Sequence, residues 1–199
     1  MNEKLIALAI FLDIINEEDW DFNQDPPVFM NFEGHEQVIT EDWDFSTSPP
    51  TYVKELEEDE EPLSWEDMNV PLWDELDLPE ESRYDDFIFD YGKYEYLVCT
   101  DDEADERVKE SIESSVWAFN PDFIIRHSKL PWEAVDMVEY FCRDKCESAN
   151  ETILALIDDI DEFVSDAIST DGRGHFLSNY DGKENEQEFN GTYYYIYKI

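Results

Sequence analysis

Two five-residue segments concentrate the side chains that could do chemistry. Glu18-Asp19-Trp20-Asp21-Phe22 is followed by Pro26-Pro27, and 23 positions later Glu41-Asp42-Trp43-Asp44-Phe45 is followed by Pro49-Pro50. Each unit joins an aromatic pair to several carboxylates and ends on prolines that enforce extended backbone. Nucleic-acid bases have flat apolar faces and phosphates have negative charge. Such a unit can therefore imitate both to a protein that reads nucleic acid by stacking and by Lys/Arg contacts. The same residues fit a quieter role, in which Trp20, Phe22, Trp43 and Phe45 anchor an extended arm while the acids face water. Looser copies, Ser64-Trp65-Glu66-Asp67-Met68 and Leu72-Trp73-Asp74-Glu75-Leu76, lack the paired prolines. We read a repeated short segment here, without a solenoid fold.

Three other constellations have the residue types of a catalytic or metal site. His175, Ser178 and Asp181 are the types of a nucleophilic triad, but no nucleophile elbow accompanies them. Asn179, Asp181, Gly182 and Glu188 fit the second half of a calcium loop, whose first ligand position would fall on Leu177, which cannot ligate. Cys142 and Cys146 are four apart on an expected helix, with His127 the nearest histidine, and fit core cysteines better than a four-ligand zinc site. The expectation is a protein with no catalytic residues, no metal site and no cofactor.

Charge sets the frame for these segments. The 199 residues include 53 Asp and Glu against 13 Lys and Arg, a net charge of −40. A magnitude of about 2 to 8 suffices for the solubility of a small domain. Forty charges correspond to roughly 68 Å of duplex DNA, whereas a compact globule of this length is about 40 Å across. The charge density is thus comparable to that of DNA, which disfavours binding to nucleic acid or anionic membrane and favours steered association with a cationic partner. Residues 1–90 hold 28 acids against three bases and residues 91–199 hold 25 against ten, an asymmetry that argues against halophilic coating of an ordinary enzyme. Aromatic content of 15% argues against disorder. Three cysteines give no disulfide framework and suit a reducing cytoplasm.

The elements that must position these residues follow from periodicity. Residues 2–16 predict an apolar helix whose run Leu5–Leu12 is too short to span a bilayer and whose flanks do not suit a signal peptide. Glu55 and Glu57-Glu58-Asp59-Glu60-Glu61 read as a solvated acidic run, and a boundary is placed near residues 78–84, dividing an acidic arm (1–82) from a second domain (83–199). Tyr94–Cys99 predicts a strand, and Thr100 a helix N-cap with Glu103 at the capping-box position. Val108, Ile112, Val116 and Phe119 then fall at helical spacing, and Pro121 ends that helix. Further helices are expected over 122–128, from Pro131, over 151–157 and over 160–168, stopped by Gly172 and Gly174. Asp181-Gly182 and Asn190-Gly191 predict one or two hairpins, and Thr192–Ile199 a terminal strand beside 94–99. The expected fold class is α+β: a helical C-terminal domain with a small antiparallel sheet closed by the C-terminal hairpin, preceded by an acidic, partly irregular N-terminal arm.

The stretch Tyr96-Leu97-Val98-Cys99-Thr100-Asp101-Asp102-Glu103-Ala104-Asp105, the run Asp171-Gly172-Arg173-Gly174-His175-Phe176-Leu177-Ser178-Asn179-Tyr180-Asp181-Gly182 and the closing Tyr195-Ile196-Tyr197-Lys198 resemble a group of small acidic bacteriophage proteins. The resemblance covers residues 94–199 and implies a phage origin. The composition is similar to that of phage DNA-mimicking antirestriction and anti-CRISPR inhibitors. Together these readings give the expectation of an inhibitor acting in the bacterial cytoplasm on a restriction enzyme or CRISPR effector. Its expected contact residues are Glu18, Asp19, Trp20, Asp21, Phe22, Glu41, Asp42, Trp43, Asp44, Phe45, Glu57, Glu58, Asp59, Glu60 and Glu61. The alternative is an adaptor that docks Trp-Asp-Phe motifs into an apolar pocket of a polymerase or nuclease. A homodimer is left open.

Overall fold

The computed structural model describes residues 2–23, 27–29, 43–44, 51–52 and 72–199. The chain divides into two compact units, Met1–Glu80 and Glu81–Ile199.

The first unit opens with helix α1 (Glu3–Phe11), capped by the Asn2 side chain, which accepts from the Lys4 N–H. It ends earlier than the apolar run suggests. Asp13 adopts φ 56°, its N–H reaches the Ile10 carbonyl at 3.0 Å, and the Ile14 N–H reaches the Ala9 carbonyl at 2.9 Å. These two bonds form a Schellman stop, with Asp13 in the place usually taken by glycine. Ile14 and Ile15 therefore leave the helix.

The duplicated segments build duplicated hairpins. Strand β1 (Trp20–Asp21) pairs antiparallel with β2 (Val28–Phe29), Trp20 opposite Phe29. Strand β3 (Trp43–Asp44) pairs with β4 (Thr51–Tyr52), Trp43 opposite Tyr52. The register is the same in both copies, shifted by the 23 residues of the sequence repeat. The prolines precede the return strand in each.

The second unit is α+β. Its five-stranded antiparallel sheet has the order β5-β6-β7-β9-β8, from β5 (Glu80–Glu81), β6 (Ile88–Tyr91), β7 (Tyr94–Cys99), β8 (Asn185–Phe189) and β9 (Thr192–Lys198). Asn190 (φ 52°) and Gly191 (φ 75°) close the β8–β9 hairpin with the two positive φ values of a type I′ turn. Gly92 (φ 62°) and Lys93 close β6–β7, a hairpin the sequence reading passed over. Asp181-Gly182 closes none, and residues 175–177 are helical rather than extended.

Seven helices are described in all. After α1 come α2 (Asp101–Ser115), α3 (Pro121–Arg126), α4 (Val135–Tyr140), α5 (Asn150–Leu154), α6 (Ile160–Asp171) and α7 (Arg173–Leu177). A π-helical turn, Phe141–Lys145, continues α4. The α2 start is a capping box in which the Glu103 carboxylate accepts from the Thr100 N–H at 2.8 Å. Its other end is sealed by Asn150, whose amide donates to the Glu113 carbonyl at 2.7 Å while its oxygen accepts from the Trp117 N–H. Val108 and Ile112 of α2, and Val116 just after it, are buried with Leu97, Cys99 and Tyr197 of the sheet and with Ile124, Ile153 and Phe163 of the other helices.

Gly172 ends α6 at φ 76° and ψ 155°, a conformation open essentially to glycine alone. Gly174 does not stop a helix but lies inside α7. A side chain there would press on the Gly182 carbonyl and come within 2.8 Å of the Lys183 carbonyl carbon. Between these glycines stands Arg173. Its Nε and Nη2 bind the two oxygens of Glu184 at 2.8 and 3.2 Å, and its Nη1 binds Asp101 at 2.8 Å and Asp105 at 3.2 Å. Its guanidinium carbon also sits 4.1 Å from the centre of the Tyr195 ring. The Tyr197 hydroxyl completes the group by donating to Glu184 at 2.6 Å. One cation thus ties α7, the N-terminal part of α2, the lead-in to β8 and strand β9.

Replacing Arg173 by Met should lower the stability of the second unit by about 2–4 kcal/mol, less than for a wholly buried pair because the acids are partly solvated. Urea unfolding followed by far-UV circular dichroism measures this. Arg173→Lys should recover under half of the loss, since an ammonium cannot reproduce the bidentate contact with Glu184.

Candidate functional site

The outer surface of α2 carries a row of carboxylates. Asp102, Glu106 and Glu110 are exposed at four-residue spacing, and the half-buried Glu113 extends the row. Successive members step about 6 Å along the axis at 1.5 Å per residue. The basic residues of the same helix are engaged elsewhere. Arg107 grips both oxygens of Asp85 at 2.9 and 2.8 Å over the Phe87 ring, and Lys109 binds Asp161 of α6 at 2.6 Å.

This division of labour holds across the second unit, which has 29 acids and eleven bases. Arg107, Lys109, Lys129, Arg143 and Arg173 form ion pairs within it. Lys93, Arg126, Lys145 and Lys198 lie over aromatic rings. Nine of the eleven cations are thereby engaged by internal partners, Arg83 and Lys183 being exposed, and the surplus of carboxylates is left to face outward. The Arg173 side chain is only 11% exposed, against 67% for Asp101 and 58% for Asp105. Burial works against the charge of Arg173, but the hydrogen bonds it donates to Glu184 and Asp101 outweigh it and hold the guanidinium ionised.

A tyrosine cluster occupies the sheet end. The Lys198 ammonium lies 3.0 Å from the centre of the Tyr94 ring and 4.4 Å from that of Tyr180, and those two rings meet edge to face at 5.3 Å. A hydrogen bond with Tyr180, then one with Lys93, brings the Tyr94 phenol down to about 8. Burial pushes neighbouring Tyr96 upward.

The expected contact residues are placed as follows. Glu18 is exposed and Asp19 half-buried in the short turn Glu17–Asp19, and the Asp21 carboxylate accepts from the Asn23 backbone at 3.0 Å and side chain at 2.8 Å. Trp20 is not presented to a partner. It is 7% exposed, meeting Phe29 edge-on at 5.4 Å and Trp73 at 5.3 Å, while Phe22 meets Trp73 at 6.1 Å. The first copy therefore carries its indole as a core anchor of the first unit, and neither base imitation nor pocket docking is open to Trp20 as it stands. Trp43 and Asp44 are described as strand backbone only. Glu41, Asp42, Phe45, Glu57, Glu58, Asp59, Glu60 and Glu61 lie outside the described residues, as does the looser copy at Ser64–Met68.

Sequence reasoning missed a cleft of about 480 Å³ in the second unit, lined by α2, α6, α7 and the turn between α2 and α3. Phe119, Phe123 and Phe176 wall it. Phe119 lies nearly parallel to Phe176, 12° between planes and 6.1 Å between centres, and stacks on Phe123 at 5.8 Å. Ser115 and Thr170 line it too, each donating its hydroxyl proton back to its own helix, to the Ser111 carbonyl at 2.6 Å and the Asp166 carbonyl at 2.8 Å. The exposed Asp171 and His175 complete the rim. The sequence signal was the run of Phe119, Phe123 and Phe176, which no single element holds.

The catalytic and metal constellations take structural roles. Ser178 is buried with its hydroxyl 2.8 Å from the Lys198 carbonyl and 3.1 Å from Asp181, pinning the turn after α7 to the end of β9. His175 instead contacts Phe176. Asp181 accepts from the Lys183 N–H at 3.0 Å, which holds its carboxyl below the ordinary range, while Glu188 lies on β8. Cys99 is a core residue, but Cys142 is half-buried and Cys146 exposed at φ 47°, so the reading of both as core cysteines is corrected. Among the described residues no group of three or more His, Cys, Asp or Glu is placed to hold a metal ion, and no helix is long and apolar enough to cross a membrane. No family model, curated protein or solved structure matches the chain.

Three substitutions check this assignment of roles. Trp20→Ala should cost the first unit about 3–5 kcal/mol and flatten the near-UV circular dichroism of its tryptophans, whereas Glu18→Gln should stay within about 0.5 kcal/mol. Tyr180→Phe should move the Tyr94 titration, followed by phenolate absorbance, from about 8 toward the ordinary value near 10. An unchanged titration would remove Tyr180 as its cause.

Proposed function

We propose that this chain is a non-enzymatic inhibitor that occupies the basic nucleic-acid-binding groove of a host defence protein, a restriction enzyme or a CRISPR effector, by presenting carboxylates where phosphates would lie. The observation that carries the reading is the segregation of charge in the second unit. Nine of its eleven cations are engaged by internal ion pairs or ring contacts, while Asp102, Glu106 and Glu110 stand exposed in a row along α2. A net charge of −40 then acts outward and steers association with a cationic surface. The setting proposed with it, the infected bacterial cytoplasm, is carried over from the phage resemblance read in the sequence alone.

The contact face on this reading is the exposed carboxylate row of α2. The test uses the immobilised full chain and purified candidate nucleases. Duplex DNA should displace the bound nuclease competitively, and affinity should fall by at least tenfold between about 50 mM and 200 mM salt. The triple variant Asp102→Asn, Glu106→Gln, Glu110→Gln should weaken binding without lowering thermal stability. Binding that resists both DNA and salt would end the mimicry reading.

A further inference from the structure

The geometry points to the aromatic cleft as an anchor site for an arginine side chain of the partner surface. The inference rests on the functional reading above and names the group that the acidic protein would seize. Its lining includes Asp171 and no lysine or arginine. An anionic ligand would meet a carboxylate there with no compensating charge. The Ser115 and Thr170 protons are already donated inside their helices, so those hydroxyl oxygens serve the cleft as acceptors. Acceptors at the rim and phenyl faces on the wall suit a planar cation with many donors.

Guanidinium fits this description better than ammonium. It is flat, weakly hydrated, stacks on aromatic faces and carries five N–H donors, whereas the lysine head is a compact, strongly hydrated charge. Phe119 and Phe176 supply the faces, the Phe123 ring already having Arg126 of this chain over it, Asp171 supplies the countercharge, and the volume of about 480 Å³ admits the side chain with part of its flanking backbone. The protein already uses the same chemistry internally, where Arg173 lies over Tyr195 while bound to Glu184. The surrounding unit, with 29 acids to eleven bases, adds long-range attraction.

The probes are the capped tripeptides Gly-Arg-Gly, Gly-Lys-Gly and Gly-citrulline-Gly, titrated into full-length protein with carbon-13-labelled phenylalanine and read by nuclear magnetic resonance. The arginine peptide should shift the Phe119, Phe123 and Phe176 rings with roughly millimolar affinity and bind at least threefold more tightly than the other two. Asp171→Asn should weaken it at least threefold, and Ala118→Trp, at the exposed edge of the cleft, should abolish the ring shifts with the thermal melt unchanged. Equal binding of the citrulline peptide would overturn the inference, as would shifts scattered over the acidic surface or an Asp171→Asn variant that binds as well as the parent. If Ala118→Trp lowers the melt, Thr170→Val replaces it, with the same loss expected. A chain that captures a DNA-displaceable nuclease yet fails the peptide test loses the cleft alone. One that binds the arginine peptide selectively but yields no nuclease to DNA keeps the cleft and loses the mimicry.

Discussion

The second unit is organised around a scarcity of positive charge. With 29 acids and eleven bases in residues 81–199, each cation must neutralise several carboxylates or be placed where the fold most needs it. Arg173 does both. It gathers Asp101, Asp105 and Glu184, which lie 72, 68 and 11 positions away in the chain, onto one guanidinium. Without it, the acidic first turn of α2 and the acidic lead-in to β8 would repel each other across α7. The glycines on either side serve this placement. Gly172 turns the chain through a conformation closed to other residues, and Gly174 lets α7 approach the 182–184 backbone closely enough for Arg173 to reach Glu184.

Aromatic burial supplies the cohesion that offsets self-repulsion. In the helical core, Phe163 is fully buried and meets Phe119 at 5.0 Å, Phe123 at 4.8 Å and His127 at 5.3 Å, and His127 in turn contacts Phe123 at 4.8 Å. In the first unit Trp20, Phe29 and Trp73 play the corresponding part. Edge-to-face contacts of this kind add about 0.5–1.5 kcal/mol each beyond area burial. Carboxylates can then crowd the surface because the interior is held by contacts that ignore charge. The same arrangement explains why an acidic motif containing tryptophan is ambiguous on paper: one segment supplies both the outward charge and the inward anchor.

What could be read from the sequence was local. The Thr100–Glu103 capping box, the spacing of Val108, Ile112 and Val116 and the Asn190-Gly191 turn follow from neighbours in the chain and are found, and the pairing of the last strand with Tyr94–Cys99 is the one long-range expectation that is also found. The α1 stop at Asp13 was hidden because an aspartate took the glycine position of its cap. The Gly92-Lys93 hairpin escaped because lysine is not a habitual turn residue, and the reading of Gly174 as a helix stop failed because it packs inside α7. Long-range side-chain constructions were invisible. Neither the Arg173 network nor the cleft exists until α2, α6 and α7 are brought together, and Phe119 and Phe176 lie 57 positions apart. The duplicated pentapeptides were visible as a repeat, but their pairing with Val28–Phe29 and Thr51–Tyr52 requires noticing that an extended pair follows the prolines in both copies.

The paired hairpins of the first unit bear on how such a chain can change. Each closes across nine positions, Trp20 to Phe29 and Trp43 to Tyr52, so its strand pairing is complete within one copy. The first 23-residue period, residues 18–40, contains six acids and neither lysine nor arginine. In-frame gain or loss of one period therefore steps the net charge by about six while leaving every hairpin register intact. Charge becomes a quantity that recombination between the repeats can adjust in discrete increments, independently of the slower substitution of surface residues one at a time.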